Sequence, residues 1–144
     1  MPVERTANAV WEGDLVGGSG EVSAESGALE GEKVKWSSRA EQADQNTSPE
    51  ELIAAAHAAC VSMALAHGLA EAGTPPQRLE SEATATFDQT PDGFRVTTMK
   101  VSIRGQVDGL DAEGFREAAQ DAAQNCPVSQ ALTGTTITLD AKLG

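Results

Sequence analysis

At 144 residues the chain has the length of one ordinary domain, and its 40% hydrophobic and 22% charged residues suit a sequence that buries a core, not a disordered tail. Ten Lys and Arg against 22 Asp and Glu leave a formal charge of -12, which disfavours DNA, RNA and anionic membranes, since such partners are held by cations that displace counterions. Aromatic residues make up 3%, with no Tyr, which excludes base-stacking platforms and leaves Ala, Val, Leu and Ile to build the core.

The opening Met1-Pro2-Val3-Glu4-Arg5 begins no charged-then-apolar leader, and no uninterrupted apolar run reaches bilayer length. A single domain over 1–144, cytoplasmic and without a membrane partner, is expected. Thr6 to Glu12 alternates in side-chain size up to Trp11, Gly13-Asp14 and Gly17-Gly18-Ser19-Gly20 interrupt, and Glu21 to Ala24 resumes an extended pattern, which predicts a hairpin. No Gly-Lys-Ser/Thr follows the glycines, so they do not make a phosphate loop. Lys33-Val34-Lys35-Trp36 reads as a short strand leading into a polar stretch that ends at Thr47, where Asn46-Thr47-Ser48 is a plain loop.

Ser48-Pro49-Glu50-Glu51 combines a Ser-x-x-Glu capping box with Pro at the first helical position and starts a helix. It runs to about Ala72, where Gly73 and Pro75-Pro76 stop it. So apolar a helix is expected to be buried. Beyond it, Leu79, Ala83, Ala85 and Phe87 share one strand face, Pro91-Asp92-Gly93 turns, and Phe94 through Ile103 runs back. Asp111 caps a second helix carrying Phe115, Ala118, Ala119, Ala122 and Ala123, which breaks at Asn125-Cys126-Pro127. Val128 to Leu132 adds a helical turn or two, and Ile137, Leu139, Ala141 and Leu143 alternate as a last strand. This order indicates an α+β fold, not a doubly wound parallel sheet.

The chemistry rests on two cysteines, Cys60 in mid-helix and Cys126 at a helix start. A structural disulfide is rare in the cytosol, which leaves inert core, metal ligation or redox chemistry. Cys60 taken alone is a core residue, whereas unpaired N–H groups and the helix dipole would favour a thiolate at Cys126. Zinc is disfavoured: Cys60 and His67 lie about 10 Å apart along the helix, and the chain has no cysteine or histidine beyond Cys60, Cys126, His57 and His67. No metal and no cofactor is expected, and His57 is expected to sit against a partner surface. For Cys60 to be a nucleophile it needs a cation, and Arg5, Arg39, Arg78, Arg95, Arg104 and Arg116 all qualify.

The run Asn46-Thr47-Ser48-Pro49-Glu50-Glu51-Leu52-Ile53-Ala54-Ala55-Ala56-His57-Ala58-Ala59-Cys60, the segment Cys126-Pro127-Val128-Ser129-Gln130-Ala131-Leu132, and the N-terminal Ala9-Val10-Trp11-Glu12-Gly13-Asp14 resemble the OsmC/Ohr family of thiol peroxidases, in its osmotically inducible branch. The resemblance implies an intertwined homodimer of antiparallel sheets around two long buried central helices. It implies reduction of organic hydroperoxides by a peroxidatic Cys60 and a resolving Cys126, with Arg39 as the activating arginine and Glu50 as the carboxylate that holds it. It also implies a dithiol reductant such as a lipoyl protein. About 15 Å of helix rise separates Glu50 from Cys60. If one arginine links the two, Glu50 is expected to come from the other subunit. A non-catalytic sensor of peroxide stress using the same thiols is the competing reading.

Overall fold

A computed structural model describes residues 1–144, and they form two compact units, Met1–Leu52 and Ile53–Gly144.

In the first unit, β1 (Ala7–Glu12) pairs antiparallel with β2 (Ser19–Ala24), which pairs antiparallel with β3 (Glu32–Val34). The glycines between β1 and β2 have a packing reason: a Cβ on Gly20 would sit 2.6 Å from the Trp11 ring, so the indole needs bare backbone beneath it. The Trp11 Nε1–H donates to the carbonyls of Gly13 and Asp14 at 3.0 and 3.2 Å, which fixes the ring over the turn. Trp36 does not extend β3, as its alternation with Val34 suggested, but opens α1 (Trp36–Ala40). This short helix has no side-chain cap at its start, so no capping signal marks it in the sequence.

The helix α2 (Pro49–Glu71) begins where its capping signal puts it. The Ser48 hydroxyl accepts from the Glu51 N–H at 3.1 Å, and the Glu51 carboxylate accepts from the Thr47 hydroxyl at 2.8 Å. By length and mean composition it is long and apolar enough to cross a membrane, although His57, Ser62, His67 and Gly68 interrupt the apolar run. The expectation that it is buried is corrected: His57, Val61, Leu65 and Leu69, spaced four apart, form one buried stripe, while Ala55, Ala59, Met63 and Ala70 on another face are exposed.

The second unit is a three-stranded sheet with helices against it. The strands β4 (Arg78–Thr90) and β5 (Gly93–Gln106) form the long hairpin read from the alternation, with a register shift between Thr86 and Phe87. The strand β6 (Thr136–Leu143) then pairs with β5 in parallel, from Thr98 opposite Thr136 to Gly105 opposite Leu143. The sheet is therefore mixed, and the expectation of antiparallel sheets is corrected. The reason is the connection: α3 (Ala112–Asn125) and α4 (Pro127–Ala131) lie between β5 and β6, and a crossover of that length carries the chain back to start the next strand at the same end.

The core of this unit joins Val61, Leu65 and Leu69 of α2, Val101 and Ile103 of β5, Phe115, Ala119 and Ala122 of α3, and Ala141 of β6. Phe115 and Met99 are fully buried, so the core is not purely of small aliphatics. One polar tie fixes α2 over β4: the Ser81 hydroxyl donates to the Ala58 carbonyl at 2.9 Å and lies 2.5 Å from the Ser62 hydroxyl.

Candidate active site

Cys126 stands at the junction of two helices. Its extended backbone (φ -65°, ψ 135°) ends α3 and caps α4, and Pro127 takes the first position of α4, where no N–H is required. The Cys126 N–H donates to the Ala122 carbonyl at 2.9 Å, which anchors the residue to the last turn of α3. Its side chain is fully buried; the sulfur accepts from the Ser129 N–H at 3.3 Å and lies 3.3 Å from the Ser129 hydroxyl.

Cys60 is half-buried on α2 and packs against the core that contains Cys126. Both cysteines are free thiols, and each acts on the other's ionisation. Their acidities diverge. Burial pushes the Cys60 thiol up, a hydrogen bond from the Val128 N–H pulls the other way, and the hydrogen bond and charge of Cys126 push it up further, so Cys60 ends above its ordinary range. Burial raises Cys126 as well, but hydrogen bonds from the Ser129 hydroxyl and N–H, from Cys60 and from the Val128 N–H outweigh it, and Cys126 ends below its ordinary range. Within one chain Cys126 is the more acidic thiol. α4 spans only five residues, so hydrogen bonds, not a helix dipole, are what lower it.

His57, expected against a partner surface, is instead wholly buried within its own chain, with Nε2 2.8 Å from the Ser129 hydroxyl. Burial alone lowers its pKa and keeps the ring neutral. Neither His57 nor Ser129 was singled out from the sequence as a functional residue, because the only signal is a contact between side chains 72 positions apart.

Arg39 and Glu50 meet in the first unit. The Arg39 Nε–H donates to the two carboxylate oxygens of Glu50 at 2.8 and 3.3 Å, from the last turn of α1 to the first turn of α2. The Glu50 carboxylate is nine-tenths buried, whereas Arg39 keeps about a third of its side chain exposed. Between the two helices, Asp44 accepts from the Asn46 N–H and the Ser38 hydroxyl, both at 2.8 Å, which tightens the loop and holds its carboxyl below the usual range. Arg39 also lines a cavity of about 300 Å³ whose other walls are Trp11, Leu15, Val34, Lys35, Trp36 and Pro49. These apolar wall residues were not identified from the sequence.

The arrangement thus comprises two interacting thiols in one unit and a carboxylate-held arginine beside an apolar cavity in the other. The profile of the OsmC-like protein family matches residues 42–141, a span that holds both cysteines and Glu50. The chain belongs to the OsmC family. It is 42% identical over 143 residues to peroxiredoxin OsmC of Escherichia coli (strain K12), covering 99% of each protein. It is 30% identical over 129 residues to organic hydroperoxide resistance protein OhrB of Bacillus subtilis (strain 168), covering 88% of this chain and 89% of that one. Among solved structures, an organic hydroperoxide resistance protein from Elizabethkingia anophelis superposes over the whole of both chains with a TM-score of 0.76 at 25% identity. The mixed sheet, the long helix α2 and the crossover through α3 and α4 are therefore an OsmC-family fold.

Proposed function

We propose that this OsmC-family chain is a cytoplasmic peroxidase that reduces organic hydroperoxides to alcohols through its two thiols. The observation that carries the reading is that Cys60 packs against the buried cluster holding Cys126 and that each thiol acts on the other's ionisation, so two sulfurs of one chain lie where an intramolecular disulfide can close. The names of the relatives, a peroxiredoxin and an organic hydroperoxide resistance protein, support the reaction class.

The Cys60 thiolate attacks one oxygen of the peroxide bond; the O–O bond breaks, the other oxygen leaves as alkoxide and takes up a proton to give the alcohol, and Cys60 becomes a sulfenic acid. Cys126 then attacks that sulfur, the disulfide forms as hydroxide departs, and a dithiol reductant such as a lipoyl protein restores both thiols. Cys60 needs a cation for the first step, since its own surroundings raise its pKa. Arg39 supplies it: a guanidinium fixed by Glu50 lowers the thiol pKa and stabilises charge on the departing oxygen. Because about 15 Å of helix rise separates Glu50 from Cys60, the Arg39–Glu50 pair serves the thiol of a second subunit in a homodimer. The Trp11, Leu15, Val34, Trp36 and Pro49 walls beside Arg39 suit an alkyl tail and favour organic hydroperoxides over hydrogen peroxide.

Turnover of cumene hydroperoxide by the wild type, Cys60→Ser and Cys126→Ser, with dihydrolipoamide and thioredoxin compared as donors, tests the reading. The wild type should turn over many times with the dithiol, Cys60→Ser should be inert, and Cys126→Ser should oxidise once without closing a disulfide. Undiminished turnover in Cys60→Ser overturns the proposal, and a wild type that halts after one oxidation with either donor is the redox sensor instead.

A further inference from the structure

The two thiols leave one buried polar side chain without a role. His57 is wholly buried, its Nε2 lies 2.8 Å from the Ser129 Oγ, and its Nδ1 has no hydrogen-bond partner. The orphaned nitrogen sets the direction of the chain of hydrogen bonds. A neutral imidazole carries one N–H, and a buried donor without an acceptor is rarer and costlier than an acceptor left with a bare lone pair. The proton therefore sits on Nε2 and is donated to the Ser129 oxygen. The Ser129 hydroxyl proton is then left for the Cys126 sulfur, 3.3 Å away, which also accepts the Ser129 N–H.

We propose that His57 and Ser129 are positioning residues for the resolving step, forming a one-way hydrogen-bond chain from His57 through Ser129 that is aimed at the Cys126 sulfur and stabilises its thiolate as it forms. The role given to that thiolate rests on the peroxidase reading; the hydrogen-bond chain itself does not. The titratable side chains facing the cluster are Cys60 and His57, both from α2, and no lysine, arginine or carboxylate acts on either sulfur within the chain. A stabilised thiolate matters because the sulfenic acid of Cys60 is short-lived and open to further oxidation. Cys126 gives up its proton and its sulfur attacks, the S–S bond forms as the S–O bond breaks, and the released hydroxide takes up a proton to become water.

The test uses the full-length protein. In a Cys60→Ser background, the ultraviolet absorbance of the Cys126 thiolate is titrated with Ser129 and His57 intact and with Ser129→Ala, Ser129→Thr, His57→Leu or His57→Gln. Ser129→Ala and His57→Leu should raise the Cys126 pKa by about one unit, which is tenfold less thiolate at a fixed pH well below it. Ser129→Thr, which keeps the hydroxyl, and His57→Gln, which keeps a donor, should hold it near the parent value. With Cys60 present, stopped-flow should show the first oxidation no slower in Ser129→Ala, since less charge on Cys126 eases ionisation of Cys60, and disulfide closure slowed about tenfold. Should Ser129→Ala fail to fold, His57→Leu carries the same measurement. An unshifted titration in a folded variant overturns the proposal, and a shift with normal closure overturns the role in resolution. No oxidation of Cys60 in any variant, alongside a shifted titration, would sink the peroxidase reading and leave the chain of hydrogen bonds standing.

Discussion

Glu50 shows how much one residue's surroundings decide. It is a buried carboxylate whose charge is matched by the Nε–H of Arg39, and that bond aims a guanidinium that would otherwise sample many rotamers. Glu50→Gln keeps the shape and the capacity to accept a hydrogen bond but removes the charge. A hydrogen bond to a charged partner contributes roughly 1.5–3 kcal/mol, so the first oxidation of Cys60 should slow about tenfold to a hundredfold, read in a single-turnover assay. Disulfide closure should stay at its parent rate, because Cys126 is held by Ser129 and not by Arg39. Glu50 in a capping box and Cys126 at a helix start each lie in a short run with its own local signal, whereas Cys60 taken alone reads as core and is marked only by the family resemblance. The residues alone left six arginines open, and the fold pairs one of them, Arg39, with Glu50. The direction of the contrast in acidity between the two thiols agrees with the reading of Cys126 at a helix start, but its cause differs: hydrogen bonds from Ser129, and not a helix dipole, lower Cys126.

At the scale of elements, local chemistry wrote the boundaries and packing wrote the pairings. The Asp111 carboxylate accepts the Gly114 N–H at 2.8 Å and starts α3 at the predicted residue, just as Ser48 starts α2. The alternation in Ile137, Leu139, Ala141 and Leu143 revealed a strand but not its direction, for an alternating pattern is the same read either way. Parallel pairing of β6 with β5 also sets a tight spot. Gly105 of β5 faces the ring of Phe115 on α3, and a Cβ there would come within 2.5 Å of the Phe115 ring and 3.0 Å of the Leu79 side chain. Phe115 is fully buried and has nowhere to retreat. Gly105→Ala should therefore destabilise by about 1–3 kcal/mol, visible as a lower urea midpoint with an unchanged slope. Combining it with Phe115→Leu should cost less than the sum of the two single changes, because the smaller side chain vacates the space the methyl needs.

Over the whole molecule, α2 carries the contrast that matters most. Its stripe of His57, Val61, Leu65 and Leu69 is buried by its own chain, whereas Met63 is 73% exposed and Ala55, Ala59 and Ala70 share its face. The composition announced an apolar helix, and burial followed by the rule that such helices are covered; one chain supplies cover for a single side. The homodimer proposed for catalysis would cover the other, and small residues there allow two helices to approach closely. A net charge of -12 per chain opposes association, so the apolar face has to outweigh that repulsion, and added salt should strengthen the dimer by screening it. In equilibrium sedimentation the protein should weigh twice the 14.9 kDa of one chain. Met63→Glu should yield monomers, since burying an unpaired carboxylate costs several kcal/mol. Peroxidase turnover should fall with the dimer fraction, because Arg39 would no longer reach the thiol of a second subunit, while the Cys126 thiolate, built within one chain, should titrate as before. A wild-type monomer with full turnover would leave Arg39 without its assigned partner and remove the reason for the exposed face.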